Sequence, residues 1–167
     1  YARIEDFEVS KPLMSFLSVE HWGSSESSAH WKMYREVLEF FGYDLNQLKA
    51  EKPFPETSEY LDYRLNLCLS RTVEEGLGAL GFGHEFVNAY IFNSYLQGVE
   101  KIPNVTDAAL MYFRAHVDDE PEDYQVFKRM ILATSNNYQS FSLVKKGAED
   151  VLTARQEFFD KIHQRIL

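Results

Sequence analysis

The sequence predicts an antiparallel all-α bundle. Apolar residues recur at helical spacing along most of the chain, and helix caps and breakers fall between these stretches. No stretch alternates apolar and polar residues as a half-buried strand would. A chain of 167 residues suits one domain with a real core, so a single helical domain over 1–167 is expected.

The elements follow in order. Over 5–21, Phe7, Leu13, Phe16 and Leu17 stand among polar residues at helical spacing. Trp22-Gly23-Ser24-Ser25-Glu26-Ser27-Ser28 is a loop by composition. Over 29–42, Trp31, Tyr34, Val37, Leu38 and Phe41 share one face, and Gly42 is placed to end the helix. Lys52-Pro53-Phe54-Pro55 reads as a linker. Thr57 or Ser58 is then expected to cap a helix carrying Tyr60, Leu61, Leu65, Cys68 and Leu69. The run Gly76-Leu77-Gly78-Ala79-Leu80-Gly81-Phe82-Gly83 is dense in glycine yet apolar, and stands before a strong helix over 84–99 that Gly98 closes. It is not a phosphate loop, because it lacks the Lys-Ser/Thr ending and no strand precedes it. Pro103-Asn104 marks a turn, and 105–117 is helical with Leu110, Met111 and Phe113 inward. Asp118-Asp119-Glu120-Pro121-Glu122 reads as a helix start, with acidic residues at the positive end of the dipole and proline in the first turn. A helix over 122–134 follows, then a long one from about Tyr138 to Ile166. The chain opens at Tyr1 already in a helical pattern, so a further N-terminal helix is expected ahead of it.

Composition narrows the function. Hydrophobic residues make up 45% and charged residues 26%, as in a folded globular protein. A formal charge of -9 repels a phosphate backbone, so nucleic acid is not an expected partner. One cysteine, Cys68, excludes an internal disulfide framework and fits a reducing cytoplasm. No apolar run is long enough to span a bilayer and no secretory signal is visible, so no membrane partner is expected.

Among polar residues Glu85 is the most informative. It sits between Phe82, Phe86, Val87, Ala89 and Tyr90, where a carboxylate is costly unless it is paired or binds metal. His116, Glu120 and Asp123 are spaced by four and three residues, which places them on one face of a continuous helix. Histidine with carboxylates from facing helices is how bundles build two-metal sites, and mixed nitrogen and oxygen donors suit iron or manganese. Acidic residues before a helix also serve simply to complement its dipole, and a single histidine is more often a hydrogen-bonded core residue. His84 and His163 read as structural and Cys68 as core. Most of the 13 Phe and 10 Tyr read as core, with some available to line a pocket.

Several segments in order resemble the haem-oxygenase-like diiron oxidases and oxygenases. Glu20-His21-Trp22-Gly23, then His30, Arg35, Leu38 and Gly42, looks like that family's second-helix signature. Gly78-Ala79-Leu80-Gly81-Phe82-Gly83-His84-Glu85 resembles its small-residue run before a metal-binding Glu. Tyr95-Leu96-Gln97-Gly98-Val99 and Tyr112-Phe113-Arg114-Ala115-His116-Val117 resemble the stretch that ends at a metal-binding His. The separations agree, with 55 residues from His30 to Glu85 and 31 from Glu85 to His116. The resemblance covers about residues 15–135.

The resemblance implies a haem-oxygenase-like bundle and a non-haem iron enzyme. Its ligands would be Glu20, His30, Glu85, His116 and Glu120, with Asp123 as a sixth. Where the family has Asp and His after the last histidine, this chain has Glu120 and Asp123, which makes the second metal position richer in oxygen. Two ferrous ions and dioxygen as co-substrate are implied, acting on a small amino-acid-like molecule by N-oxygenation, desaturation, carbon–carbon cleavage or nitrile formation. An aromatic substrate would suit the aromatic content, and Arg35, Arg64, Arg71 or Arg114 could hold its carboxylate. A homodimer is common for the fold. Rival readings are a thiaminase-like hydrolase of the same fold with Cys68 as nucleophile, a haem-binding protein, and a non-catalytic helical interaction protein. A self-sacrificing para-aminobenzoate synthase would need a lysine where Ile91-Phe92-Asn93-Ser94-Tyr95 stands.

Overall fold

Local chemistry sets most of the helix ends. The computed structural model describes residues 3–23, 29–118 and 120–167, apart from the side chains at 8, 19 and 120–123. The expected loop at 24–28 and Asp119 therefore lie outside the described residues. Among the described residues the chain is helical, with no strand: α1 (Phe7–Trp22), α2 (His30–Phe40), α3 (Leu45–Ala50), α4 (Pro55–Ser70), α5 (Val73–Leu80), a π-helical turn (Gly81–Glu85), α6 (Phe86–Val99), α7 (Asp107–Asp118), α8 (Glu120–Thr134) and α9 (Tyr138–Ile166).

Gly42 ends α2 as the sequence predicts. Its φ is +80°, a conformation that costs glycine little, and the paired bonds Gly42 N to Glu39 O and Tyr43 N to Leu38 O, both 3.0 Å, absorb the last carbonyls. The short helix α3 has no counterpart in the sequence reading. Asp44 caps it, accepting from the Asn46 and Gln47 amides. At α4 the expected cap is wrong: Pro55 opens the helix, so Thr57 and Ser58 lie inside its first turn. Proline has no N–H to satisfy and its fixed φ is already helical. Two capping boxes begin α5 (Thr72 with Glu75) and α9 (Asn137 with Ser140).

The glycine-dense run is helical, so the helix expected to begin near residue 84 in fact starts at Val73 and passes through the π turn into α6. Tertiary packing explains why so much glycine is tolerated there. A Cβ at Gly78 would lie 1.9 Å from the Val144 carbonyl oxygen, and one at Gly147 would lie 1.9 Å from that of Glu75. Helices α5 and α9 thus meet backbone to backbone, and no larger residue fits the seam.

Two apolar clusters flank this seam. Val9 and Leu13 of α1, Leu77 of α5, Phe127, Met130 and Ile131 of α8, and Val144 of α9 form the main one. Leu67, Ala79 and Val151 form the second, between α4, α5 and α9. Helix α4 runs antiparallel to α9, as the pairs Glu56–Arg165 and Glu59–Lys161 show. On the other side α2 lies antiparallel to α7, with His30 against His116 and Tyr34 against Tyr112. Helix α6 packs on α7 beside them. Among the described residues no helix is long and apolar enough to cross a membrane.

Candidate functional site

His30 opens α2 and His116 lies in the last turn of α7. Antiparallel packing brings these residues, 86 positions apart in the chain, to a ring-centroid separation of 4.5 Å. Both are buried. Glu20, in the last turn of α1, places Oε2 at 2.9 Å from His30 Nδ1. The α1–α2 connection is fastened next to this contact, where the Trp31 indole donates to the His21 carbonyl at 3.2 Å.

The orientation of His116 is fixed on two sides. Its Nδ1 lies 2.8 Å from the Tyr112 carbonyl oxygen. A carbonyl only accepts, so Nδ1 carries a proton, and in the neutral ring Nε2 is then the lone-pair nitrogen. Phe92 of α6 stacks on the ring at 4.1 Å and 16°. Tyr112 packs against the same ring at 4.4 Å, and Tyr34 against Tyr112 at 5.1 Å. The histidine pair therefore sits against an aromatic wall.

Glu85 closes the π turn and is only 7% exposed. It lies two turns before Phe92, on the same face of the α6 rod. Asn88 Nδ2 donates to its Oε2 at 3.5 Å. Behind Asn88 stands Arg155 of α9, which is 6% exposed. Its Nη1 donates to Asn88 Oδ1 at 3.3 Å, its Nη2 contacts His84 Nδ1, and its Nε donates to Tyr60 Oη at 3.3 Å. Arginine has no acceptor, so His84 accepts at Nδ1 and carries its proton on Nε2, in keeping with the structural role expected of it.

The sequence reading did not single out Asn88 or Arg155. A signal for each was present. Asn88 follows Glu85 by three residues, and Arg155 continues the buried stripe Val144, Ala148, Val151 of α9.

The remaining expected residues fall as follows. The side chains of Glu120 and Asp123 lie outside the described residues, although both belong to α8. Asp118, expected at the start of the next helix, is instead the exposed last residue of α7. Arg35, Arg71 and Arg114 are engaged on the surface with Glu39, Glu75, and Glu100 with Asp107 respectively. Arg64 lies over the Tyr60 ring at 5.6 Å. Cys68 is half-buried, and burial pushes its thiol above the ordinary value, with Arg64 opposing only in part.

Whether these residues suit iron turns on donor chemistry. Imidazole nitrogens and carboxylate oxygens are the donors iron takes in helical bundles, and Glu20, His30, His116 and Glu85 supply both kinds from three helices and the π turn. Among the described residues, no three His, Cys, Asp or Glu side chains are gathered around one metal position. The set fits iron in kind, with Glu20, His30 and His116 in successive contact.

A separate groove of about 410 Å³ lies between α4 and α9, lined by Glu56, Glu59, Tyr60, Asp150, Glu157 and Phe158 among others. It holds none of the expected metal donors. Its carboxylates are largely solvated or ion-paired, so the buried histidine pair is the better candidate for chemistry.

No curated protein matches the chain. A family model described as an iron-containing redox enzyme matches residues 1–149, and the chain, an all-α haem-oxygenase-like bundle, belongs to that family of redox enzymes.

Proposed function

We propose that this chain is a non-haem iron oxidase or oxygenase that uses dioxygen to oxidise a small amino-acid-like substrate. The observation that carries the reading is the pairing of buried His30 and His116 across α2 and α7, with half-buried Glu20 against His30 and buried Glu85 in the π turn. Glu20, His30, Glu85, His116 and Glu120 would hold the metal, two ferrous ions in the fullest case, with Asp123 as a further oxygen donor. Iron bound there would supply the activation of dioxygen that a polypeptide lacks on its own.

The chain's own part is positioning. The Tyr112 carbonyl holds His116 as the Nδ1-protonated tautomer, in which Nε2 would be the nitrogen offered to iron. Glu20 orients His30 from its Nδ1 side. Phe92, Tyr112 and Tyr34 form an aromatic wall beside the histidine pair that would offer a flat apolar surface to an aromatic side chain. Burial raises the Cys68 thiol, which weighs against the hydrolase reading.

Elemental analysis after anaerobic loading with ferrous iron tests the proposal in the wild type, Glu85→Ala and His116→Ala. About two irons per chain in the wild type, lost in both variants, is the expected result. One iron, lost in both, would keep the site and make it mononuclear. No bound iron, or iron retained by both folded variants, would refute the proposal.

A further inference from the structure

The buried arginine of α9 is the most unusual charge in the bundle. Arg155 is 6% exposed, in the core of a chain whose other described arginines are at least partly exposed. A desolvated guanidinium is costly, and its direct described partners are neutral: the Tyr60 phenol, the Asn88 carboxamide and the His84 imidazole. One residue further on stands a buried carboxylate. The Asn88 carboxamide faces Arg155 with its oxygen and Glu85 with its nitrogen, so it bridges the two. The chemistry of the partners fixes this amide orientation, because a guanidinium only donates and a carboxylate oxygen here accepts.

We infer that Arg155 and Asn88 form a positioning relay for Glu85, in which the α9 cation sets the Asn88 amide and the amide sets the Glu85 carboxylate for metal. The inference rests on the reading of Glu85 as a metal ligand and adds to it residues from outside the ligand set. The three side chains are mutually arranged by geometry. Asn88 of α6 stands three residues after Glu85 on the same continuous rod, so its donor reaches the carboxylate from one turn on. Arg155 comes from the helix that the Gly78–Gly147 seam holds at a fixed close distance. Tyr60 and His84 take the other two guanidinium edges, so the fork cannot swing away from Asn88. Hydrogen-bonded partners behind a metal ligand typically change metal affinity about 10- to 100-fold when removed.

The test is anaerobic titration of the full chain with ferrous iron against a competing chelator, with cobalt(II) absorption as a second readout. Glu85→Ala, Asn88→Leu, Arg155→Met and the double variant Asn88→Leu/Arg155→Met are compared, each with a thermal melt. Asn88→Leu and Arg155→Met are each expected to weaken iron binding about 10-fold or more and to shift the cobalt spectrum. The double variant should bind no more weakly than the worse single one, because the two residues act in series. Arg155→Lys, which keeps the charge but loses the fork, should recover part of the affinity. If Glu85→Ala binds iron like the wild type, the ligand reading itself fails. If Glu85→Ala loses iron while folded Asn88→Leu keeps wild-type affinity and spectrum, the relay alone is overturned. Additive losses in the double variant would also overturn it. Should Arg155→Met not fold, Asn88→Leu and Arg155→Lys decide the matter.

Discussion

Replacing Gly78 with alanine inverts the usual effect of that substitution in a helix. In an exposed helix interior, Gly→Ala stabilises by about 1 kcal/mol because the unfolded chain loses less entropy. At Gly78 the new methyl would stand 1.9 Å from the Val144 carbonyl oxygen, 2.7 Å from its carbon and 2.9 Å from its Cα. All three atoms are backbone, so no side chain can turn aside. Relief requires α5 and α9 to separate by roughly 1.3 Å, which forfeits a large part of the dispersion contact along the seam. Buried Leu77, Ala79, Val144 and Val151 line that seam and lose packing together. Overpacking of this kind costs about 1–3 kcal/mol and more where nothing can yield. Taking the upper end of that cost against the gain of about 1 kcal/mol, the net expectation for Gly78→Ala is a loss of about 2 kcal/mol, or a fall in Tm of roughly 4–8 °C for a chain of this size. Gly147→Ala meets the Glu75 carbonyl oxygen at 1.9 Å and should behave alike. The double variant should lose less than the sum, because helices already parted for one methyl accommodate the second more easily. Gly98 on α6 is the control: its Cβ would meet nothing within 4 Å, so Gly98→Ala should hold or raise Tm. Thermal unfolding followed by circular dichroism reads all four variants. A Gly78→Ala protein that melts at or above the wild type would refute the close-seam argument.

Two further outcomes follow from ionisable groups. Burial alone would raise the Glu75 carboxyl, but hydrogen bonds from the Thr72 amide and hydroxyl, with Arg71 and Lys146 nearby, outweigh it and hold the group below its ordinary value. A depressed folded pKa gives stability that is present above the unfolded value and lost as pH falls through the folded one. Glu75→Gln should therefore cost about 1–2 kcal/mol near neutrality, and the difference from wild type should shrink on acidification through the carboxyl range. A constant difference in denaturant unfolding at every pH would contradict this. The raised Cys68 thiol should alkylate slowly with iodoacetamide at neutral pH compared with the unfolded chain, and Cys68→Ser should bind ferrous iron as the wild type does. Rapid alkylation of the native protein would bring the hydrolase reading back.

Much of the fold was legible because its signals are local. Asn137 and the long apolar stripe fix α9 over Tyr138–Ile166, and Gly42 can only be a stop. What was missed is local too weakly or not local at all. Six residues of α3 hold too few turns to display a period, and only the Asp44 cap hinted at it. Thr57 and Ser58 looked like caps because their chemistry is right, yet Pro55 comes first and decides. The glycine run conceals a helix because the reason for its glycines is the backbone of α9, far away in sequence. In the site, Glu85 was conspicuous as a carboxylate among aromatics. His30 and His116 carry no mark that joins them, and it took a resemblance spanning most of the chain to consider them together. Arg155 was passed over for the opposite reason: although it continues the apolar stripe of α9, an arginine late in a charged helix looks like surface until α4, the π turn and α6 close over it.

The π turn at Gly81–Glu85 alters how length and facing are related in this chain. Such a turn holds one residue more than an α turn, so it takes up a residue without rotating the helix beyond it. A residue count carried from α5 into α6 at 3.6 per turn is therefore out of phase by about 100°. Removing one residue from α9 would swing everything after it to a different side. Removing one residue from the π turn would let it tighten into an α turn while Asn88 and Phe92 kept their directions. The place in the bundle closest to Glu85 is thus also the place where the chain can change length by one and leave α6 facing the same neighbours.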